Sequence, residues 1–211
     1  MKSGQASPRW PPTPTLRGRL IYLEPLKTEH AAALLATASD PEVWHWKLTP
    51  MPTNVGDMEA IITGALLASP DGTPRMSFLA RRITDAAVIG STTLYDLSMA
   101  HRCVENGETW LSRPCWGQGF NEDMKYLVLE HCFETWGLAR VAWRADHLNT
   151  RSLSALRRCG FVYEGTLRSH RQRPDGTRRN SDYFSVLDEE WPGVAKHLLE
   201  LVASRSKGGH G

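Results

Sequence analysis

Apolar and polar positions alternate through Leu20-Ile21-Tyr22-Leu23-Glu24-Pro25-Leu26, and this period of two predicts a first strand. The period then lengthens. A helix capped by Thr28 carries Ala31 to Leu35, and a second helical stretch starts near Asp40-Pro41. A third runs from near Asn54 to about Ser69, where Pro70-Asp71-Gly72 stops it. Strand patterning returns in Met76 to Ile83, Val88 to Leu97 and Val104 to Leu111, which reads as an antiparallel meander. Met124, Leu127, Val128, His131, Cys132 and Thr135 recur at helical spacing, predicting an amphipathic helix from about Asn121 to Trp136, ended by Gly137. The next strand sets Val141, Trp143 and Ala145 on one face and Arg140, Arg144 and Asp146 on the other. A short helix from about Thr150 follows, with Asn149 as its cap and Gly160 at its end. Two strands, Phe161 to about Arg171 and about Arg179 to Leu187, are joined across Pro174-Asp175-Gly176, and a final helix follows Trp191-Pro192. This order is a mixed α+β layout around one sheet.

Composition narrows the picture. With 211 residues, 41% of them hydrophobic, the chain can bury one sizeable core. Residues 1–16, rich in Pro, Ser and Thr, read as an extended tail and 204–211 as a flexible end, leaving 17–203 as one domain. Basic and acidic residues number 25 and 23, a net charge of +2, which gives no general case for nucleic acid or an anionic membrane. Cys103, Cys115, Cys132 and Cys159 form no CxxC pair and no His/Cys ligand spacing, so neither a zinc site nor a disulfide framework is indicated. With no signal-peptide core and no bilayer-length apolar run, the expectation is a cytoplasmic protein that needs no metal.

The chemistry is carried by Trp116-Gly117-Gln118-Gly119-Phe120-Asn121, a glycine-rich turn that opens directly into the long amphipathic helix. Free backbone N–H groups at a helix start, uncrowded at the two glycines, can cradle a pyrophosphate against the positive end of the helix dipole. A nucleotide-binding reading of the dinucleotide type fits poorly, because the chain lacks GxGxxG after an early strand and the acidic ribose partner that follows it.

Three features fall in the order an acyl-CoA site needs: a strand ending in Trp110-Leu111-Ser112, the glycine loop starting a helix, and Asn149-Thr150-Arg151-Ser152 after the next strand. Together they resemble the GNAT superfamily of N-acyltransferases. The loop pattern of that family matches at Gly119 and departs at Trp116 and Asn121. Those departures resemble the RimJ/RimL-like branch, related to ribosomal-protein N-terminal acetyltransferases. So do Asn149-x-x-Ser152, Cys159-Gly160-Phe161 with Glu164-Gly165, Arg173-Pro174-Asp175-Gly176 and the run from Tyr183 to Trp191-Pro192. The resemblance spans about Gly18 to Leu201. It implies a GNAT fold: a twisted, mostly antiparallel mixed sheet flanked by helices as an α/β/α sandwich and splayed between its fourth and fifth strands, with acetyl-CoA in the cleft. Backbone groups of Trp110, Leu111 and Ser112 would bind the pantetheine arm like an added strand. Those of Trp116, Gly117, Gln118, Gly119, Phe120 and Asn121 would hold the pyrophosphate. Asn149 would contact the pantetheine arm, cap its helix, or do both. Dimers are common in the family.

Acyl transfer from a thioester to an amine needs a neutral nucleophile, oxyanion donors and a proton for the departing thiolate. Near pH 7.5 a substantial minority of α-amines, with a pKa of about 8, is neutral, against roughly 0.1% of lysine ε-amines. A weak or water-relayed base therefore serves a protein N-terminus. The resemblance points to Glu105, on the strand before the loop, as the base or as a group orienting the amine; Glu108 falls on the opposite face by alternation. Ser152 resembles the serine that donates a proton to the leaving thiolate. Some ribosomal-protein enzymes of this branch carry a glutamate where this chain has Arg171, which weakens a ribosomal-protein assignment and the same base mechanism. His170 and His147 are alternative proton carriers, and His131 reads as a core residue. Trp44 and Trp46 read as core or as an aromatic wall for the acceptor. Arg168, Arg171, Arg173, Arg178 and Arg179 gather charge at the final hairpin, as a solvated face or as a site for an acidic acceptor or the cofactor 3′-phosphate.

The expected activity is therefore acetyl-CoA-dependent transfer to a primary amine, first of all a protein or peptide N-terminal α-amine. Small amines (an amino acid, a polyamine, an aminoglycoside), a longer acyl donor such as succinyl-CoA, and a non-catalytic acyl-CoA-binding module are the rival readings.

Overall fold

The computed structural model describes residues 12–69 and 72–206. Eight strands form one sheet in the order β1-β2-β3-β4-β5-β6-β8-β7. They are β1 (Leu16–Arg17), β2 (Ile21–Pro25), β3 (Met76–Arg82), β4 (Val88–Ser98), β5 (Cys103–Leu111), β6 (Arg140–Asp146), β7 (Val162–Gln172) and β8 (Arg178–Leu187). Neighbours are antiparallel except β5 and β6, which run parallel and pair only through Cys103–Glu105 against Arg140–Ala142. Beyond Glu105 the two strands part. Across the next stretch β4 steps from Thr93 to Ser91 while β5 steps from Gly107 to Trp110, so β5 carries an extra residue, with Glu108 at φ 53°. Such a bulge bends and twists its strand. The opening falls between the fourth and fifth strands expected from the sequence, because the two-residue β1 adds one to the count.

The strands bury both sheet faces. Helices α1 (Ala31–Thr37), α2 (Pro41–Trp44) and α3 (Val55–Leu66) cover one, in a cluster that includes Leu34, Val43, Met58, Ile62, Leu79 and Trp110. Helices α4 (Phe120–Glu130), α5 (Thr150–Arg158) and α6 (Trp191–Ser206) cover the other, through Leu127, Leu153, Leu156 and Leu198 against Ile21, Phe78, Val141 and Phe184. Helix starts follow the expected chemistry: Asp40, Asn54 and Asn149 accept from the N–H groups of Glu42, Asp57 and Ser152 at 2.9, 2.9 and 3.0 Å.

Some boundaries differ from the sequence reading. Thr28 lies inside a 3₁₀ turn (Thr28–His30) that precedes α1 and caps nothing; the Lys27 N–H instead bonds His30 Nδ1 at 3.1 Å. The long helix is α-helical only to Glu130 and continues as a π turn over His131–Thr135, where the expected spacing breaks. Leu16, the last residue of the expected tail, already pairs with Leu23, and α6 continues to Ser206, past the expected domain end. Helix α3 ends at Leu66, and the Pro70-Asp71 stop lies outside the described residues, as do 1–11 and 207–211.

Candidate active site

Glu105 is the last residue of β5 that pairs with β6, so it stands where the sheet opens. Its side chain faces the sheet side covered by α1–α3 and is 8% exposed. The hydroxyl of Tyr95, opposite it on β4, donates to Glu105 Oε1 at 2.5 Å, and Arg144 Nε on β6 lies 2.9 Å from the same oxygen. Burial pushes the Glu105 carboxyl above the usual carboxylate range, against the pull of Arg144 and Tyr95. Burial disfavours the charged Arg144 guanidinium, but Tyr95 and Glu105 outweigh it and hold that group above its ordinary value. Burial and the neighbouring carboxylate push the Tyr95 phenol well up, so it stays a neutral donor. Gly107 makes room for this arrangement: a Cβ there would lie 2.5 Å from Tyr95 Oη. Asn106, on the other face, donates to Thr92 Oγ1 (2.9 Å) and Thr93 O (3.0 Å) and accepts from Trp143 Nε1 (2.8 Å), locking the strand where it leaves its neighbour.

The bulge cancels the alternation that would put Glu108 on the opposite face. Its side chain pairs with Arg75, whose guanidinium lies over the Tyr95 ring, so Glu108 shares the face of Glu105. The free edge of β5 is not bare, since Lys47 Nζ donates to the carbonyls of Glu108 (2.7 Å) and Thr109 (3.0 Å). Burial lowers the Lys47 ammonium to about 8. Farther along, Trp110, Leu111 and Ser112 are buried; the Ser112 N–H is taken by Ile89 O at 2.8 Å and the Leu111 carbonyl by Trp116 Nε1 at 2.9 Å.

The glycine loop adopts the conformation its residues require. Gly117 and Gly119 have φ 75° and 88°, in the left-handed region that disfavours a Cβ. Among the described residues, the N–H groups of Gly117, Gln118, Gly119 and Phe120 have no hydrogen-bond partner, and they open the first turn of α4. Phe120 is buried in the core, while the Gln118 side chain turns back to Pro114 O and Asn121 is half-buried. Asp123 fixes the loop from behind: its carboxylate, with no exposure, accepts from the N–H groups of Arg19, Leu20 and Ile21 at 3.2, 2.7 and 3.0 Å. Arg113 and Arg151 bring their guanidinium carbons to 4.6 and 3.4 Å from the Trp116 ring centroid, so two cations flank the loop.

Asn149 and Ser152 start α5 beside this loop. Asn149 Oδ1 is occupied as the cap, and the half-buried Ser152 hydroxyl has no hydrogen-bond partner among the described residues. A cavity of about 320 Å3 between α2 and α5 is lined by Glu42, His45, Trp46, Asn149 and Arg151. The two tryptophans separate here: Trp46 lines the cavity, whereas Trp44 is core, with its Nε1 on Ala38 O at 2.8 Å.

The model of the acetyltransferase (GNAT) domain matches residues 20–162. The chain belongs to the GNAT acetyltransferase family. It is 27% identical over 180 residues, 85% of its own length and 99% of the relative's, to the uncharacterized N-acetyltransferase p20 of Bacillus licheniformis. A T. thermophilus structure named as a candidate acetyltransferase is 35% identical, with TM-score 0.79 over 90% of this chain and 97% of that one. Mycobacterium smegmatis RimJ, solved with CoA-disulfide, is 23% identical with TM-score 0.75 over 92% and 96%, a likeness of fold.

Within this GNAT domain none of the remaining candidates makes a hydrogen bond or ion pair with Glu105 among the described residues. His170 Nδ1 contacts Ser181 Oγ at 3.0 Å, and burial followed by Arg171, Arg144 and Arg179 lowers its pKa. His147 Nδ1 lies 3.4 Å from Asp146 Oδ1. His131 is buried and packs its ring 4.5 Å from that of Trp136, as a core residue would. Arg168, Arg171 and Arg178 are exposed, but Arg173 clasps Asp146 and Arg179 is buried, so the hairpin charge is not one solvated face. Arg144, Tyr95, Lys47 and Arg151 were not legible as site residues, since each depends on a neighbour ten or more positions away in sequence. All four cysteines are free thiols, Cys103 half-buried and the others buried. No helix among the described residues is long and apolar enough to cross a membrane.

Proposed function

We propose that this GNAT enzyme transfers the acetyl group of acetyl-CoA directly to a primary amine, with a peptide or protein N-terminal α-amine as the acceptor and RimJ/RimL-like enzymes as its branch. The observation that carries this is Glu105, ionisable, held from two sides by Tyr95 and Arg144, at the point where β5 leaves β6. The four unpartnered loop N–H groups and the positive φ of both glycines suit a pyrophosphate, with Arg113 and Arg151 adding charge nearby. Acetyl-CoA supplies the acyl carbon as a thioester. Glu105, directly or through water, takes the proton the amine loses as its nitrogen bonds the acyl carbon. Ser152 donates toward the sulfur as the C–S bond breaks. The modest basicity of Glu105 matches an α-amine, which is partly neutral before it binds, better than a lysine.

Contacts to the pantetheine arm are assigned to the opened edge of β5 up to Trp110 and Leu111, with Lys47 withdrawing from the carbonyls of Glu108 and Thr109. Ser112 contributes shape, since its N–H is engaged by β4. The test is thiol release with acetyl-CoA and a panel of N-terminal peptides and small amines. Glu105→Gln should lower kcat by about 10²- to 10⁴-fold while calorimetric affinity for acetyl-CoA is kept. An unchanged kcat removes Glu105 as the base, and absence of acetyl-CoA binding removes the assignment of the loop.

A further inference from the structure

We propose that Arg179 anchors a carboxylate of the acceptor, so that the preferred acceptor is a primary amine with a carboxylate a few bonds away. This rests on the acetyl-transfer reading above. Three carboxylates on the sheet face that carries Glu105 have cations of their own. Glu105 has Arg144 at 2.9 Å, Asp146 has Arg173 at 2.7 and 2.9 Å, and Glu108 has Arg75. Arg179 is left over. It is 8% exposed, its Nε has no hydrogen-bond partner, and Asp146 Oδ2, already held by Arg173, stands 3.8 Å away. None of its guanidinium nitrogens donates a hydrogen bond to a described residue, although each is a donor in a planar fork suited to a carboxylate.

Its place in the fold aims it at the acceptor. Along β8, Arg179, Ser181 and Tyr183 alternate onto one face; Ser181 pairs with Asp146 and Tyr183 with Arg144, and the Tyr183 hydroxyl lies 3.3 Å from Arg144 Nη1. The charge of Arg179 is felt by Lys47 across the opening, and Tyr95 and Arg144 act on Arg179 in turn. A buried cation with no hydrogen-bond partner and only a long, shared contact to Asp146 is poorly satisfied in the free enzyme, and an acceptor carboxylate would relieve it. The same surplus of Arg179 and Lys47 disfavours polyamines and aminoglycosides, whose several ammonium groups would meet like charge.

The experiment compares wild-type kcat/KM, referred to the concentration of neutral amine at the assay pH, on paired acceptors: an α-amino acid against its carboxamide, and peptides with Asp against Asn beside the N-terminal residue. A preference of about tenfold or more for the carboxylate is expected in at least one pair, and the pair that shows it tells a free amino acid from an acidic peptide. Arg179→Gln should collapse that ratio to near one, and Arg179→Lys should retain part of it. Equal use of carboxylate and amide by the wild type overturns the anchor while leaving acetyl transfer standing. So does a rise in KM for acetyl-CoA with the ratio intact, which would put Arg179 on the donor. Calorimetric titration of the CoA-loaded protein with an N-acetyl amino acid and its amide reads the anchor without turnover. If thiol release fails with every amine, the acetyl-transfer reading falls, and this titration still decides the anchor by the same ratio.

Discussion

At the scale of single residues, the site is set by how two neighbours divide one carboxylate. Burial disfavours the ionised form of Glu105, and Arg144 and the Tyr95 hydroxyl favour it. Removing the cation leaves burial with less opposition, so Arg144→Gln should raise the Glu105 pKa. A base must be ionised to act, so activity grows as pH rises through that pKa. In a plot of log(kcat/KM) against pH, two groups, Glu105 and the acceptor amine, must lose protons. The break from slope two to slope one, which reports Glu105, should therefore move to higher pH in Arg144→Gln. A break that stays in place, or moves down, would separate Arg144 from the base. Glu105 itself was legible from its position before the glycine loop. Its partners were not, because Tyr95 lies ten residues earlier and Arg144 on a strand reached only after the whole of α4.

At the scale of elements, the glycine loop and the first turn of α4 form one unit braced from behind. A Cβ on Gly119 would sit 3.1 Å from Leu20 Cδ1 and 3.2 Å from Arg205 Cβ, on a backbone at φ 88°. Gly119→Ala should therefore cost about 1–2 kcal/mol of stability and weaken acetyl-CoA binding, measured by denaturant melts and calorimetry. Asp123→Ala would strip three backbone N–H groups of their shared acceptor where β2 begins. It should cost about 3 kcal/mol, read as a lower midpoint in urea, and more than an exposed charge removal such as Glu59→Ala. Loop and helix start were readable from local sequence, since positive φ and free N–H groups are local properties. The brace joins residues more than a hundred positions apart and leaves no local sign.

At the scale of the whole molecule, two cores lie on opposite faces of a sheet that is opened between β5 and β6. A ligand that bridges the opening is available only to the folded state. Saturating acetyl-CoA at about 100 times its Kd should therefore stabilise the protein by about 2.7 kcal/mol and raise Tm. Dephospho-CoA should give a smaller shift if Arg113 and Arg151 meet the 3′-phosphate, and a Tm indifferent to acetyl-CoA would argue against the bridged cleft.

The period of apolar positions determined the strands, the helices, their order and the α+β class, because each rests on which face of a local element must leave water. The loop glycines and the family resemblance were equally local. Tertiary structure alone decided the bulge that turns Glu108 onto the face of Glu105, the π turn that ends α4, and the pairing of each carboxylate with its cation. Those outcomes depend on register between strands and on long side chains meeting across the opened sheet. For the same reason only the fold shows that Arg179, one of several hairpin arginines in sequence, is buried with no hydrogen-bond partner for its Nε among the described residues.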